Sequence, residues 1–332
     1  MSDAAAAAFL HKHYGLDGKL EPLDSERDRN FRVTTGDDEK YVLKFASSAE
    51  DVAVTEFQNE ALRHVARVAP ELPIPRLVLT SSGETAVNVI AADGRRHLAR
   101  LLSWLDGVPL KSVQFSAGHA ATLGTCLARL GHALRDYQHP ASNYALLWDL
   151  KRAQALRQLL DYIVDTSLRA LCSRRLDIFD ANVLPKLGQL RWQVIHNDLN
   201  PSNVLVDPDA PNKVTGIIDF GDMVHAPLVI DIAVASAYLM RDATDPLPDV
   251  LNFAAAYCAE EPLRPEEIDV LFDLMLTRST MTIVITHWRA SQYPENRNYI
   301  MRSETTARRT LERISDMNSA DIKERLRAAC RA

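Results

Sequence analysis

The pattern of hydrophobic and polar positions divides the chain into two parts of different character. In the first hundred residues, "NFRVTT" (30–35) and "KYVLKFA" (40–46) alternate apolar and polar positions around the turn-like "GDDE". Two such runs joined by a short polar turn predict a β-hairpin. Three further short strands are predicted at 76–80, 85–90 and 97–105. The N-terminal part is therefore predicted to be mainly β-structure.

One long helix is predicted among these strands, at 48–68. The apolar positions that recur there at helical spacing are Val54, Phe57, Ala61, Leu62 and Val65. Ser48 is suited to cap the start of this helix. The prolines of "APELPIPRLV" (69–78) are expected to end it.

After about residue 110 the pattern becomes helical. The predicted helices span 116–138, 147–163, 166–187, 228–241, 246–259, 264–290 and 302–330. Short strands are predicted only within 192–220. A β-rich first part and a helix-rich second part indicate an α+β protein with two lobes. We place the N-terminal lobe at 1–104 and the C-terminal lobe at 105–332, with a hinge near 104–110.

Composition agrees with a globular protein and narrows its class. The chain has 332 residues, 47% of them apolar, and a net charge of −6. This length favours two lobes over a single core, and the negative charge argues against a nucleic acid or an anionic membrane as partner. The four cysteines form no C-x-x-C pair, so we expect neither zinc nor a disulfide framework. The "AAAAAFL" start lacks a basic flank and is interpreted as a helix, and we expect a cytoplasmic protein.

The candidate chemistry lies in "HNDLNPSNVLVD" (196–207) and "IIDFGD" (217–222). Asp198 and Asn203 flank a proline-containing turn, and Asp219 ends an apolar run before Gly221, which permits a sharp turn. A carboxylate and a carboxamide are oxygen ligands that suit Mg²⁺. A separate carboxylate can accept a proton from an attacking hydroxyl. Asp198 as base, with Asn203 and Asp219 as metal ligands, would form a phosphoryl-transfer site.

Each of these residues also has a structural explanation. Asp198 or Asn203 alone would more often be a turn former, since Asx side chains close turns routinely. Lys44 ends an amphipathic strand, where a lysine often prevents edge pairing. The catalytic interpretation is favoured because His196 and Gly221 accompany these residues in this order and spacing.

The segments "VIHNDLNPSNVLVD" and "VTGIIDFGDMVHAPLVIDIAVA" resemble the signature of the aminoglycoside phosphotransferase and choline kinase superfamily. "SERDRNFRV", "YVLKF" and "LLWDL" resemble its hydroxylysine kinase branch most closely. The resemblance extends from about 19 to 300. It implies a two-lobed protein-kinase-like fold and a small-molecule kinase that uses Mg²⁺ and a nucleoside triphosphate.

The resemblance also implies a role for individual residues. Asp198 would be the catalytic base and His196 would support the loop geometry, while Asn203 and Asp219 would bind magnesium. Asp231 matches an acid that we take to be structural. The residues assigned to the nucleotide are Lys44 at the phosphates, Ser25, Arg27 and Asn30 in a covering loop, and Ser103 and Trp104 in the hinge behind the base.

One position departs from the kinase pattern. Kinases pair the strand lysine with a glutamate on the following helix, and here that position falls on Gln58, with Glu56 and Glu60 on either side. Residues two apart lie on different helix faces. Glu60 is our choice for an ion pair with Lys44, and a neutral hydrogen bond from Gln58 is the alternative.

The acceptor is predicted only as a class. The resemblance implies an amino alcohol such as 5-hydroxylysine or ethanolamine, phosphorylated with GTP or ATP. Asp222 is the candidate partner for an ammonium group, with His225 and Trp288 as further candidates. A structural role is an equal alternative for His225, and a packed aromatic is the more common role for a residue such as Trp288. The alternatives are an aminoglycoside, homoserine or choline as acceptor, the last of which calls for an aromatic cage. A catalytically silent nucleotide-binding protein with this fold is the non-enzymatic alternative.

Overall fold

The computed structural model describes residues 2–25, 28–47, 49–90, 94, 96–240, 245–315 and 317–331. Its N-terminal lobe is an antiparallel sheet, and its C-terminal lobe is mainly helical, as the sequence predicted. No helix within the described ranges combines the length and the apolar character needed to cross a membrane.

The sheet of the N-terminal lobe contains most of the predicted strands. They are β1 (Gly18–Leu23), β2 (Arg29–Thr35), β3 (Lys40–Phe45), β4 (Leu77–Val78), β5 (Val87–Ile90) and β6 (Arg96–Ser103). The sheet has the order β1-β2-β3-β6-β4, with β5 also paired to β6. Every pairing is antiparallel, which is why the predicted hairpin forms directly from consecutive strands.

The two faces of this sheet have different partners because side chains alternate along a strand. Helix α1 (Asp3–Tyr14) packs through Ala6 and Leu10 with buried Phe31 and Phe45, which lie on one face. On the opposite face, Asn30 of β2, Lys44 of β3 and Arg100 of β6 are direct cross-strand neighbours. The polar residues of three adjacent strands are thus presented together to the rest of the molecule.

Helix α2 (Val52–Val68) is shorter than predicted at its start. The side chain of Asp51 caps it by accepting a hydrogen bond of 2.9 Å from the N–H of Ala53, and Ser48 lies outside the described residues. The apolar face of α2 belongs to the large core of the helical lobe. Its Phe57 ring stacks on Tyr137, with 5.9 Å between the ring centres.

Apart from α1 and α2, the α-helices of the described residues belong to the helical lobe, which also contains two small sheets. Its α-helices are α3 (Ala117–Leu134), α4 (Thr166–Ile178), α5 (Leu228–Leu239), α6 (Pro248–Glu260), α7 (Pro265–Gln292), α8 (Arg297–Ile300), α9 (Glu304–Ser315) and α10 (Ser319–Ala329). Its strands are β7 (Val108–Pro109), β8 (Trp192–Ile195), β9 (Val204–Val206), β10 (Val214–Ile217) and β11 (Val224–Pro227). One sheet has the order β10-β9-β7, and β11 pairs with β8 in the other.

Three predicted helices differ from the structure. The segment predicted as a helix at 147–163 is a 3₁₀ helix, Leu150–Tyr162, with non-helical backbone angles at Arg152. The α-helical part of the helix predicted at 166–187 ends at Ile178. A short π-helix, Phe179–Val183, and a 3₁₀ helix, Leu184–Gln189, follow it. The tail predicted as one helix is divided into α9 and α10, because Asn318 caps a new start by accepting the N–H of Ala320 at 2.9 Å.

Candidate active site

The loop between β8 and β9 carries the polar stretch "HNDLNPSN", and a buried acid fixes its backbone. Asn197 adopts a left-handed conformation with φ of 64°. The N–H groups of His196 and Asn197 donate to the two carboxylate oxygens of Asp231 on α5, at 3.1 and 2.8 Å. Burial raises the pKa of Asp231 to about 6, and the two N–H donors act against that rise. Asp231 therefore fixes the backbone that leads into Asp198.

Asp198 follows this anchored turn, and its carboxylate is held from two sides. Its Oδ2 accepts hydrogen bonds from the amides of Asn203 at 2.7 Å and Asn200 at 2.9 Å. Its Oδ1 accepts from the guanidinium of Arg278 on α7 at 3.0 Å. A carboxylate with three side-chain donors has a fixed orientation, as a catalytic group requires.

The pKa of Asp198 is raised to about 7. Burial is the main cause; the guanidinium of Arg278 opposes it, and the nearby charges of Asp222 and Asp219 add to it. A carboxyl group that titrates near neutral pH is a better proton acceptor than an ordinary aspartate. The position and the electrostatics of Asp198 both suit a general base.

His196 supports the loop from within the core. It is fully buried, and burial lowers its pKa to about 4, so the ring is neutral at neutral pH. Its Nδ1 accepts the N–H of Asp198 at 3.3 Å, and its Nε2 donates to the carbonyl of Ile218 at 3.1 Å. The ring thus connects the loop of Asp198 to the strand end before Asp219.

The two turns that carry the predicted metal ligands are directly connected. The N–H of Ile218 donates to the carbonyl of Asn203 at 2.9 Å. The amide nitrogen of Asn203 is used by Asp198, so its Oδ1 is the atom left for a cation. Asp219 is exposed and adopts a left-handed conformation with φ of 63°, with its Oδ1 accepting the N–H of Gly221 at 3.3 Å.

This donor set fits a hard cation that is completed by a substrate. Among the residues described by the structure, no group of three or more His, Cys, Asp or Glu side chains is arranged to hold a metal. One carboxylate and one carboxamide leave most coordination positions to phosphate oxygens and water. Mg²⁺ is bound in this way in phosphoryl-transfer sites.

Lys44 is paired with an acid from the covering loop rather than with α2. Its Nζ lies 3.5 Å from the Oδ2 of Asp28. The Oδ1 of Asp28 accepts the N–H of Ser47 at 3.1 Å, and its own N–H donates to the Oγ of Ser25 at 3.3 Å. Asn30, the cross-strand neighbour of Lys44, has a buried Oδ1 without a protein partner in the described residues. Arg27, the other predicted loop residue, lies outside the described residues.

The two residues predicted to hold Lys44 have other partners. Glu60 lies on the exposed side of α2 and pairs with Arg63 at 3.0 Å. Gln58 accepts a hydrogen bond of 2.6 Å from buried Arg100 and donates to the carbonyl of Gly221 at 3.4 Å. The prediction of a Lys44 contact with Glu60 or Gln58 was therefore wrong for this structure, because Arg100 on the neighbouring strand occupies the inner face of α2.

The predicted hinge lies at the end of β6. The Oγ of Ser103 accepts the N–H of Arg76 at 2.9 Å. The N–H of Trp104 donates to the carbonyl of Lys40 at 3.2 Å, and the guanidinium of Arg32 lies 5.7 Å from the Trp104 ring centre. These contacts hold the segment against the sheet where the two lobes meet.

A family model described as the phosphotransferase enzyme family matches residues 19–268. The chain belongs to this phosphotransferase family. The resemblance seen in the sequence motifs is thereby confirmed.

Curated relatives of this phosphotransferase cover nearly its whole length. It is 28% identical over 347 residues to the hydroxylysine kinase of Mus musculus, across 97% of the chain and 92% of that relative. It is 26% identical over 337 residues to the hydroxylysine kinase of Danio rerio, across 98% and 94%. A homoserine kinase of Methylobacillus flagellatus is 31% identical over 252 residues, across 72% and 69%.

Solved structures agree on the fold of the phosphotransferase. A microcompartment-associated aminopropanol kinase matches with a TM-score of 0.74 and 20% identity, across 94% of this chain and 98% of that chain. An amicoumacin kinase in complex with AMP-PNP, Ca²⁺ and amicoumacin matches with a TM-score of 0.70 and 14% identity, across 92% and 95%. The two-lobed kinase-like fold predicted from the sequence is confirmed, and the protein is a small-molecule phosphotransferase acting on a hydroxyl group.

The three predicted acceptor residues of the phosphotransferase lie around the catalytic loop to different degrees. The carbonyl of Asp222 accepts the amide of Asn197 at 3.1 Å, and its charge acts on Asp198. His225 on β11 is half-buried, with its ring 5.5 Å from that of Trp192. Trp288 lines a cleft of about 1500 Å³ between the start of α2 and the helical lobe. Of these three residues, Asp222 is the one whose charge acts on Asp198.

Sequence reasoning missed several residues that contact the catalytic loop of this phosphotransferase. Arg278 binds Asp198, the amide of Asn200 binds the same carboxylate, and the carbonyl of Trp148 accepts the amide of Asn197 at 3.3 Å. The available signal for Arg278 was a lone charge within the apolar run "LMLTRSTMTIVIT". A charged residue is rarely buried unless it is paired, and here its partner is the carboxylate of Asp198.

Proposed function

We propose that this phosphotransferase transfers the γ-phosphoryl group of ATP or GTP to the hydroxyl of a small amine, with 5-hydroxylysine as the leading acceptor. The observation that carries the proposal is the carboxylate of Asp198, held by three side-chain donors beside Asn203. Hydroxylysine kinases that align with almost the whole chain support this acceptor.

In the proposed reaction, Asp198 accepts the proton of the acceptor hydroxyl. The acceptor oxygen forms a bond to the γ-phosphorus while the bond from that phosphorus to the bridging oxygen breaks, and a nucleoside diphosphate leaves. The raised pKa of Asp198, about 7, favours this proton transfer. His196 and Asp231 hold the loop in place throughout, so positioning supplies much of the rate enhancement.

Asn203 and Asp219 are the residues that would hold Mg²⁺, through Oδ1 of the amide and the exposed carboxylate. The cation, when bound, would offset the negative charge of the phosphates. The amicoumacin kinase, whose structure contains Ca²⁺ and AMP-PNP, supports a divalent cation in a related fold. Magnesium itself is part of the proposal.

The nucleotide is proposed to bind between the lobes. Lys44 would contact its phosphates, which compete with Asp28 for the same ammonium group. Ser25 and Asn30 would contribute from the covering loop and β2. The hinge at Ser103 and Trp104 would lie behind the purine base, and it is compatible with ATP and GTP alike.

The acceptor is proposed to bind on the side of the helical lobe. Asp222 would attract its ammonium group, since its charge already acts at Asp198. His225 and Trp288 stay secondary proposals, the latter because Trp288 lines the neighbouring cleft. Homoserine is the second candidate acceptor, supported by the relative that is 31% identical over 72% of the chain.

The test is a panel of hydroxylated amines assayed with ATP and with GTP in the presence of Mg²⁺. The panel contains hydroxylysine, ethanolamine, homoserine, choline and an aminoglycoside, and mass spectrometry detects the phosphorylated product. We expect hydroxylysine to give the highest kcat/KM. If nucleotide binding raises the melting temperature but no acceptor yields product, the protein is a silent kinase fold and the proposal is wrong.

A further inference from the structure

Arg278 is a buried cation at the catalytic carboxylate, and the proposed function does not yet use it. Only 2% of the residue is exposed. Its Nη2 donates to the Oδ1 of Asp198 at 3.0 Å and to the hydroxyl of Tyr238 at 3.1 Å. The guanidinium lies 4.7 Å from the ring centre of Trp148 and 5.6 Å from that of Tyr238. Two hydrogen bonds and two aromatic rings hold it in one orientation.

The hydrogen-bonding capacity of this guanidinium is only partly used. It carries five N–H bonds, and the two on Nη2 have partners. Nε and Nη1 are buried and have no partner among the described residues. Buried donors that are left without an acceptor destabilise a protein, and charged donors do so most. A rigid, buried guanidinium with donors to spare is therefore suited to bind an anion.

Arg278 and Asn203 contact different oxygens of the Asp198 carboxylate. The amide of Asn203, the proposed metal ligand, binds Oδ2 of Asp198, whereas Arg278 binds Oδ1. Arg278 and Tyr238 lie on α7 and α5, and Trp148 precedes Asp149 in the same helical lobe. The proposed metal and the phosphates would lie on the Asn203 side. An anion on the Arg278 side would accordingly belong to the acceptor.

We infer that Arg278 binds a carboxylate of the acceptor and so selects hydroxylated amino acids over simple amino alcohols. A planar guanidinium matches a carboxylate better than any other side chain does. This inference rests on the proposed function, because the acceptor must place its hydroxyl at Asp198. Asp222, whose charge acts on both Asp198 and Arg278, supplies the opposite charge for the ammonium group of the same zwitterion.

The same residue acts against acceptors that lack a carboxylate. An amino alcohol or an aminoglycoside would offer no anion to the buried Nε and Nη1 of Arg278, which would stay without an acceptor. Polar groups left unpaired by the wrong ligand are a common source of specificity. Arg278 therefore distinguishes hydroxylysine and homoserine from ethanolamine and aminopropanol.

The test compares acceptors that differ only in the carboxylate. Hydroxylysine is paired with the diamino alcohol that its decarboxylation gives, and homoserine is paired with aminopropanol. For the wild-type protein we expect kcat/KM to be about 10- to 100-fold higher for the carboxylate-bearing member, as for one charged hydrogen-bonding interaction. Equal kcat/KM values within each pair would overturn the inference while leaving the proposed phosphoryl transfer intact. Product from neither member would overturn the proposed acceptors themselves.

Variants of Arg278 then assign the preference to this residue. Arg278→Gln removes a donor from Asp198 and is expected to lower kcat for both acceptors. For the amino acid it should also raise KM, so that most of the carboxylate preference is lost. Arg278→Lys keeps the charge and should retain part of the preference. Arg129→Gln removes a surface arginine that pairs with Glu260 at 2.9 Å and serves as the charge-matched control. An equal loss for both acceptors would instead assign Arg278 to the phosphoryl group or to the orientation of Asp198, and the inference would be wrong.

Discussion

Asp198 receives hydrogen bonds from Asn200 and Asn203 in its own loop and from Arg278, eighty residues away in the chain. The hydrogen bonds within the loop could be anticipated, because Asx side chains around a proline-containing turn often hydrogen-bond within that turn. The contact with Arg278 could not, because it depends on how α7 packs against the loop. Sequence spacing singled out Asp198 as the candidate base, and tertiary packing determines the electrostatics of its carboxylate.

The first prediction concerns the base itself. Asp198→Asn keeps the size of the side chain but cannot accept the proton of the acceptor. We expect kcat to fall about 10³-fold, within the usual range for loss of a general base, while nucleotide affinity changes little. Steady-state kinetics and calorimetric titration with nucleotide measure the two quantities. Asp209→Asn, at an exposed position, is the control, and turnover by Asp198→Asn at the control rate would exclude the role.

The second prediction concerns Asp231, whose pKa is raised by burial from 3.8 to about 6. The folded protein therefore holds this proton to a higher pH than the unfolded chain does. Between about pH 3 and pH 8 this group should lower the free energy of unfolding by about 3 kcal/mol as the pH rises. The difference in unfolding free energy between the wild type and Asp231→Asn, measured across this range, isolates the effect. A constant difference would contradict it.

At the scale of elements, the strands and long helices were predictable, and the irregular segments were not. The hairpin and α7 follow directly from their periodicities. The 3₁₀ segment at Leu150–Tyr162 does not. It begins at the buried carboxylate of Asp149, which accepts the N–H of Lys151, and it contains non-helical backbone angles at Arg152. The periodicity of the apolar residues does not distinguish such a segment from an α-helix.

Helix α2 gives the third prediction, because its attachment to the sheet differs from the kinase pattern. Gln58→Leu removes the acceptor for a buried N–H of Arg100, and we expect the free energy of unfolding to fall by about 2 kcal/mol. Glu60→Gln removes only an exposed pair with Arg63 and should change it by less than about 0.5 kcal/mol. Urea unfolding measures both variants. A larger loss of unfolding free energy for Glu60→Gln than for Gln58→Leu would favour the predicted ion pair between Glu60 and Lys44.

At the scale of the whole molecule, the two-lobed architecture was predictable from the change of composition after residue 110. The boundary between 104 and 105 stays a prediction. How the catalytic groups come together could be predicted only through the family resemblance, because the turns at Asn203 and Asp219 meet through a backbone hydrogen bond between strands. The cleft lined by Trp288 was not predictable, since residues from four separate parts of the chain line it.

The fourth prediction concerns the joint binding of nucleotide and metal between the lobes. Nucleotide with Mg²⁺ at about 100 times its dissociation constant should stabilise the folded protein by about 2.7 kcal/mol. Chelation of the metal should remove most of this gain. The Asp219→Asn variant should bind nucleotide but lose the part of the stabilisation that depends on the metal. The Asp209→Asn variant should behave as the wild type. Thermal unfolding with and without chelator measures the effect, and an unchanged gain in Asp219→Asn would exclude it as a ligand.

The packing of α2 has a consequence for any attempt to divide the protein. Phe57, Leu62 and Val65 are buried in the core of the helical lobe although they precede the hinge in the chain. A polypeptide that stopped at residue 104 would expose this apolar stripe to water, and the remaining piece would lack part of its interior. Both fragments would then tend to aggregate or to reassociate. Complementation of two separately expressed halves is therefore a more natural experiment with this molecule than isolation of either half.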